Sequence, residues 1–139
     1  SIMQDSVFTK IIKGEIPCHR VYEDDKTIAF MDIHPVLPGH VLVVSKNQVD
    51  QIDDLPDSDY SALFATVKRI ATQQKKVLGV KRAIVLVMGY DVPHAHVHVI
   101  PSNTSEPFYQ AISHTADIQS TEPDHPALEV MAERLQIND

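Results

Sequence analysis

Apolar positions along this chain recur with two periods, and the switches between them mark out the elements. Asp5-Ser6 offers a cap before Val7, Phe8, Ile11 and Ile12, whose spacing makes one face of a short helix that Gly14 and Pro17 bring to a stop. Arg20–Glu23 and Thr27–Met31 read as two strands joined by the polar turn Asp24-Asp25-Lys26. A loop stiffened by Pro35 and Pro38 leads into His40–Ser45, a strand so uniformly apolar that it belongs in the middle of a sheet. From Pro56 to Leu78 the period changes to helical, with Tyr60, Leu63, Phe64, Val67 and Ile70 in one stripe and Gly79 as the stop. Ala83–Met88 is a fourth strand, and Gly89–Val92 turns the chain into a fifth, Pro93–Pro101. So short a connection makes these neighbours antiparallel. Beyond Pro101 the chain turns polar and rich in Ser, Thr and Pro, with one amphipathic stretch near Pro126–Leu135 that suits a short helix. The predicted architecture is α+β: an antiparallel sheet of about five strands with one long and one short helix packed on it. No repeat or linker divides residues 1–139, which read as a single domain.

The fifth strand carries the chemistry. In Pro93-His94-Ala95-His96-Val97-His98-Val99-Ile100-Pro101, three histidines alternate with small or β-branched residues. Period two places His94, His96 and His98 on one face and turns Ala95, Val97 and Val99 to the core. Imidazoles so spaced sit roughly 6–7 Å apart, twice the strand rise, which suits gripping a small anionic group. Three readings compete. The rings could be surface or satisfied core histidines; they could ligate zinc, copper or nickel, with His40 joining from a neighbouring strand; or one could act as a nucleophile toward activated phosphorus while the others bind or protonate it. A row on one strand converges poorly on a tetrahedral ion, and the residues alone leave metal and nucleophile close together.

Composition narrows the partners. With 43% hydrophobic and 22% charged residues the chain has the makeup of an ordinary globular domain. A formal charge of −7 without a long basic run argues against nucleic acid and membrane surfaces. The single cysteine, Cys18, has no disulfide partner and reads as a bystander. Neither a membrane-span-length apolar run nor a signal peptide stands out, so a cytoplasmic protein is expected.

His94-Ala95-His96-Val97-His98-Val99-Ile100 resembles the His-φ-His-φ-His-φ-φ signature of the histidine triad (HIT) family, where φ is apolar. Phe8–Pro17 is similar to that family's opening helix, and Ala29–Ile33 with Pro38–Val43 to its ribose-side segment. The likeness runs from about Ser6 to Pro101 and leaves 102–139 as an uncovered C-terminal extension. The resemblance implies a hydrolase or transferase acting at the α-phosphorus of a purine nucleotide through a nucleotidyl-histidine. A nucleoside phosphoramidate or similar adenylate, as in the Hint-like branch, is the expected substrate; a dinucleoside polyphosphate hydrolase and a non-catalytic nucleotide sensor are the alternatives. It further implies that His96 is the nucleophile, that His98 contacts phosphate, that the His94 backbone carbonyl orients His96, and that His40 supports the triad from behind. Asp32 would hold the ribose hydroxyls, and Val7, Phe8, Ile11, Phe30 and Ile33 would enclose the base. A homodimer and no catalytic metal or other cofactor are expected.

Two stretches depart from the family's pattern. Many members carry Gly-Gln-x-Val-x-His before the triad; here Tyr90 and Asp91 occupy the phosphate-side positions, only Val92 fits, and Met88 stands where a phosphate-binding Asn is common. A charged Asp91 beside phosphate would repel it unless protonated or turned away, and Tyr90 offers a hydroxyl in place of the amide. Some bacterial relatives hold a structural zinc with two cysteines, a histidine and one triad histidine. The cysteine and histidine positions are Ser6, Thr9 and Gln48 here, so no structural zinc is expected.

Overall fold

A computed structural model of the chain describes residues 3–138. Five strands, β1 (Arg20–Glu23), β2 (Thr27–Met31), β3 (Val41–Ser45), β4 (Arg82–Leu86) and β5 (His96–Ser102), form one antiparallel sheet in the order β1-β2-β3-β5-β4. β3 is central and wholly buried, as its unbroken apolar run requires. The helices are α1 (Val7–Ile12), α2 (Asp57–Leu78), α3 (Ser105–Ile112), α4 (Thr115–Gln119) and α5 (His125–Leu135), with a 3-10 turn at Ile52–Asp54.

Strand alternation sends alternate side chains to two differently covered faces. One face presents Ala29, Met31, Val41, Val43, Val97 and Val99 to Leu63, Val67 and Ile70 of α2 and to Leu128, Ala132 and Leu135 of α5. Ala95 continues that face ahead of β5. On the other face Ile28, Phe30, Leu42 and Val44 pack with Phe8 of α1. The register makes Phe30, Leu42, His98 and Leu86 a single cross-strand row on this second face. Val44 pairs with His96 one step along. The histidines therefore rise from an apolar floor.

Three expected boundaries shift. The fourth strand is Arg82–Leu86 and does not reach Met88; the third begins at Val41, leaving His40 at its mouth; the fifth begins at His96. Ahead of it the His94 N–H donates to Val92 O (2.8 Å) and the Ala95 N–H to Val49 O (2.7 Å), so this backbone bonds to loops rather than to the ladder. The stripe on α2 holds except at Tyr60, which is exposed. The extension differs most from expectation. α5 forms where its amphipathic pattern predicts, but α3 and α4 fold from the polar stretch, so short helices outnumber the single one expected.

α2 also fixes the mouth of the site. Its buried Gln74 donates from Nε2 to the carbonyls of Gly39 and Val99, both at 2.9 Å. Gly39 has φ +91°, and its Cα faces Leu78 and Pro101 at a distance that leaves no room for a Cβ. This left-handed residue turns the chain from the proline loop into His40 and β3.

Candidate functional site

The histidine face of the sheet opens into a cleft of about 360 Å³. Every base- and phosphate-side residue named from the sequence lines it: Val7, Phe8, Ile11, Phe30, Asp32, Ile33, Tyr90, Asp91 and Val92, together with His40, His96 and His98. His94 does not. Its ring is completely buried behind α1, which corrects the expectation of three imidazoles gripping one anion.

Hydrogen bonds fix which nitrogen of each ring holds the proton. A carbonyl can only accept. The bond between His96 Nδ1 and the His94 carbonyl, 2.6 Å, therefore places the His96 proton on Nδ1. Its Nε2 keeps a lone pair in the cleft, and the Phe8 ring meets the imidazole edge-on at 5.0 Å. At His40 the Val36 N–H donates to Nδ1 (3.1 Å), so the proton lies on Nε2 and is given to His98 Nδ1 at 2.9 Å. His98 in turn carries its proton on Nε2. One ring thus offers a lone pair and its neighbour offers an N–H, with centroids 5.3 Å apart.

Burial disfavours the charged form of His40, His98 and His94. It pushes His40 down to about 3, with His98 beside it adding to the penalty. His98 falls to about 4, chiefly from burial and then from His96, with Asp91 opposing. Burial lowers His94 as well, against the favourable bond to Ser45. The Asp32 carboxyl is raised by burial, partly offset by the His34 N–H, which donates to Oδ1 at 2.8 Å. Its other oxygen, Oδ2, stands 3.5 Å from His40 Nε2 and 4.0 Å from His98 Nδ1.

Asp32, His40 and His98 bring three possible ligand atoms together. A metal there would need a lone pair on His40 Nε2, yet the Val36 N–H leaves the His40 proton on that nitrogen. The trio does not fit a metal.

Behind the triad, Ser6, Thr9, Gln48 and His94 converge. His94 Nε2 donates to the Ser45 carbonyl (2.6 Å), so Nδ1 accepts from the Ser6 hydroxyl (2.6 Å). Ser6 Oγ also accepts the Thr9 N–H (3.0 Å) and caps α1. Gln48 Oε1 accepts from the Ser6 N–H (3.1 Å) and from the Thr9 hydroxyl. Two alcohols and an amide oxygen, all committed to hydrogen bonds, are not a zinc donor set.

That the C-terminal extension reaches the cleft was not expected from its residues. Ile112, Thr115, Ile118 and Gln119 line it, and His34 Nε2 donates to the Thr121 carbonyl (3.2 Å) just beyond α4. Only the apolar residues Ile112 and Ile118 could have hinted at this.

Fold and site together define a nucleotide-sized apolar cleft ending in paired imidazoles on an antiparallel sheet. Residues 13–105 match the HIT domain, and the chain belongs to that family of nucleotide-binding hydrolases. It is 40% identical over 100 residues to an uncharacterized HIT-like protein of Methanocaldococcus jannaschii, covering 68% of this chain and 77% of that protein. An adenylylsulfatase of Arabidopsis thaliana is 33% identical over 106 residues, which span 73% of this chain and 54% of the plant protein. The crystal structure of a HIT-like protein involved in cell-cycle regulation from Bartonella henselae superposes with a TM-score of 0.80 at 30% identity, covering 98% of each chain. Among the described residues no helix is long and apolar enough to cross a membrane.

Proposed function

We propose that this protein cleaves at the α-phosphorus of a purine nucleoside phosphoramidate or a similar adenylate through a nucleotidyl-histidine. The observation that carries the reading is the 2.6 Å bond from His96 Nδ1 to the His94 carbonyl, which leaves the Nε2 lone pair as the attacking group. As the N–P bond forms, the bond to the leaving group breaks and its electron pair departs with that group. Water then cleaves the N–P bond and returns His96 to its starting state. His98 Nε2–H donates to a phosphoryl oxygen as charge builds there. Asp32 Oδ2 accepts from the ribose, while Val7, Phe8, Ile11, Phe30 and Ile33 hold the base. Tyr90, 84% exposed, and Asp91 stand on the leaving-group side. The likeness to the Arabidopsis adenylylsulfatase supports an adenylate substrate.

The same reading treats the chain as one domain that dimerises along β4, an edge strand; Val85 there and Val87 and Met88 just beyond it expose apolar side chains. Light scattering at the monomer mass would overturn the dimer.

A panel of adenosine phosphoramidates, adenylyl sulfate and dinucleoside polyphosphates, assayed with and without chelator, tests the activity. We expect turnover insensitive to chelator, a trappable nucleotidyl-histidine, and a loss of more than about a thousandfold in His96→Ala, the scale of nucleophile deletions. AMP binding without turnover across the panel would leave a nucleotide sensor instead. Wild-type rates in His96→Ala would end the proposal.

A further inference from the structure

The α3–α4 segment is an added wall on the cleft. It begins where the HIT match ends, at residue 105, and none of its residues is buried, yet Ile112, Thr115, Ile118 and Gln119 reach the lining. The His34–Thr121 bond holds the end of α4 beside the loop that carries Asp32 and Ile33. The same cleft is lined by His96, His98, Asp32 and Ile33 and by Ile118 and Gln119 of α4, so on the nucleotide reading, with phosphate at the histidines and sugar at Asp32, the base would share its part of the cleft with α4. The part of a purine farthest from the sugar is the six-membered ring with its substituent at C6.

The polar groups α4 offers there are few. The Thr115 hydroxyl is already donated to the Ile112 carbonyl at 2.6 Å. Gln119 is different: it lines the cleft, and among the described residues nothing engages its carboxamide. A carboxamide holds one acceptor and two donors on a flat frame. It can accept from a 6-amino group or, turned over, donate to a 6-oxo group. Ile112 and Ile118 meanwhile offer the apolar surface against which a ring face packs.

We propose that α4 is the base-reading element of this site, with Gln119 hydrogen-bonding the C6 substituent of the purine. The inference rests on the nucleotide reading above and names its base class: purines with an amino or oxo group at C6. Gln119 is a specificity residue that touches substrate, distant from the reacting phosphorus.

Titration calorimetry on the full chain with AMP, IMP and purine riboside 5′-monophosphate, which lacks the C6 group, separates the ideas. Wild type is expected to bind AMP and IMP about threefold to tenfold more tightly than the unsubstituted nucleotide, the worth of one partly solvated hydrogen bond. Gln119→Ala should erase that gap by weakening AMP and IMP alone. Ile118→Ala should weaken all three alike. Equal wild-type affinities for the three, or an equal loss for all three in Gln119→Ala, would overturn the role of Gln119 while leaving the nucleotide site standing. Failure of every nucleotide to bind would overturn both. Gln119 is exposed on a surface helix, so its substitution leaves the fold intact.

Discussion

His40 gives its Nε2 proton to His98 Nδ1 across 2.9 Å, and the Val36 N–H on the far side of the ring permits no other neutral tautomer. A backbone amide in the proline loop thereby decides what His98 presents to the cleft. Losing that control should cost less than losing the donor itself, which typically takes about 10²–10³ from kcat. His40→Leu is expected to lower kcat about tenfold to a hundredfold with KM little changed. His40→Gln, which restores a neutral N–H near the same place, should recover much of the loss. Steady-state kinetics on both variants decide it; equal rates for Leu and Gln would show that His40 is only filler.

The depressed histidines also set an acid limit on stability. A histidine whose native pKa lies below its unfolded value of 6.5 leaves the unfolded chain holding more protons, so folding weakens as pH falls from that value toward the native one. For His98 the loss runs from 6.5 to about 4, and for His40 on to about 3. Asp32 has the opposite sign: a carboxyl raised in the native state favours the fold as it protonates. Glu23 and Asp24, lowered in the native state, add acid lability at and below the ordinary carboxylate range. The telling window is therefore roughly pH 5 to 6.5, above the carboxylates. Thermal melts should show Tm falling there in wild type and a shallower slope in His40→Gln. A flat wild-type profile would contradict the assignment.

Gly39 links this site to the core. Its φ of +91° disfavours any side chain, and an added Cβ would lie 2.9 Å from both Leu78 Cδ1 and Pro101 Cγ. Gly39→Ala is expected to cost about 1–3 kcal/mol, the range for overpacking a filled site. The displacement should propagate to His40, the next residue. A urea midpoint unchanged from wild type would show that the turn is more pliant than its contacts imply.

Strands and the long helix were legible because their side-chain periods are the physical cause of their burial, as in the run Val41–Val44 and the stripe Leu63, Val67, Ile70. Alternation located the triad but not the start of its strand, because side chains keep alternating through His94 while the backbone there bonds to Val92 and Val49. α3 and α4 were illegible for a related reason. They bury no residue, the stripe of Phe108, Ala111 and Ile112 on α3 is short and set in a polar stretch, and Ser105 and Pro107 suggest a loop although proline is tolerated in a first helical turn. The cleft residues in α1 and in the Asp32 loop were found through likeness to a family. The tautomers of His40, His98 and His94 were not, since they depend on the Val36 N–H and the Ser45 carbonyl, backbone groups that the motif does not record.

Ser6 joins the helix cap to the triad, and its removal tests whether that link matters. The hydroxyl accepts the Thr9 N–H at the start of α1 and donates to the buried His94 Nδ1. Ser6→Ala loses the cap, worth about 1 kcal/mol, and leaves the buried His94 Nδ1 only the longer 3.4 Å contact to Thr9 Oγ1, a loss of about 1–3 kcal/mol at most. The two costs overlap because one atom serves both, so a total of about 2 kcal/mol is expected from urea denaturation. The His94 ring must then find another partner, and any rotation of that residue moves the carbonyl that holds His96 Nδ1. Turnover should fall along with stability in Ser6→Ala. Ser6→Thr keeps the hydroxyl and should preserve both. If Ser6→Ala loses stability while kcat stays at the wild-type value, the cluster behind the triad braces α1 alone and has no part in aiming the nucleophile.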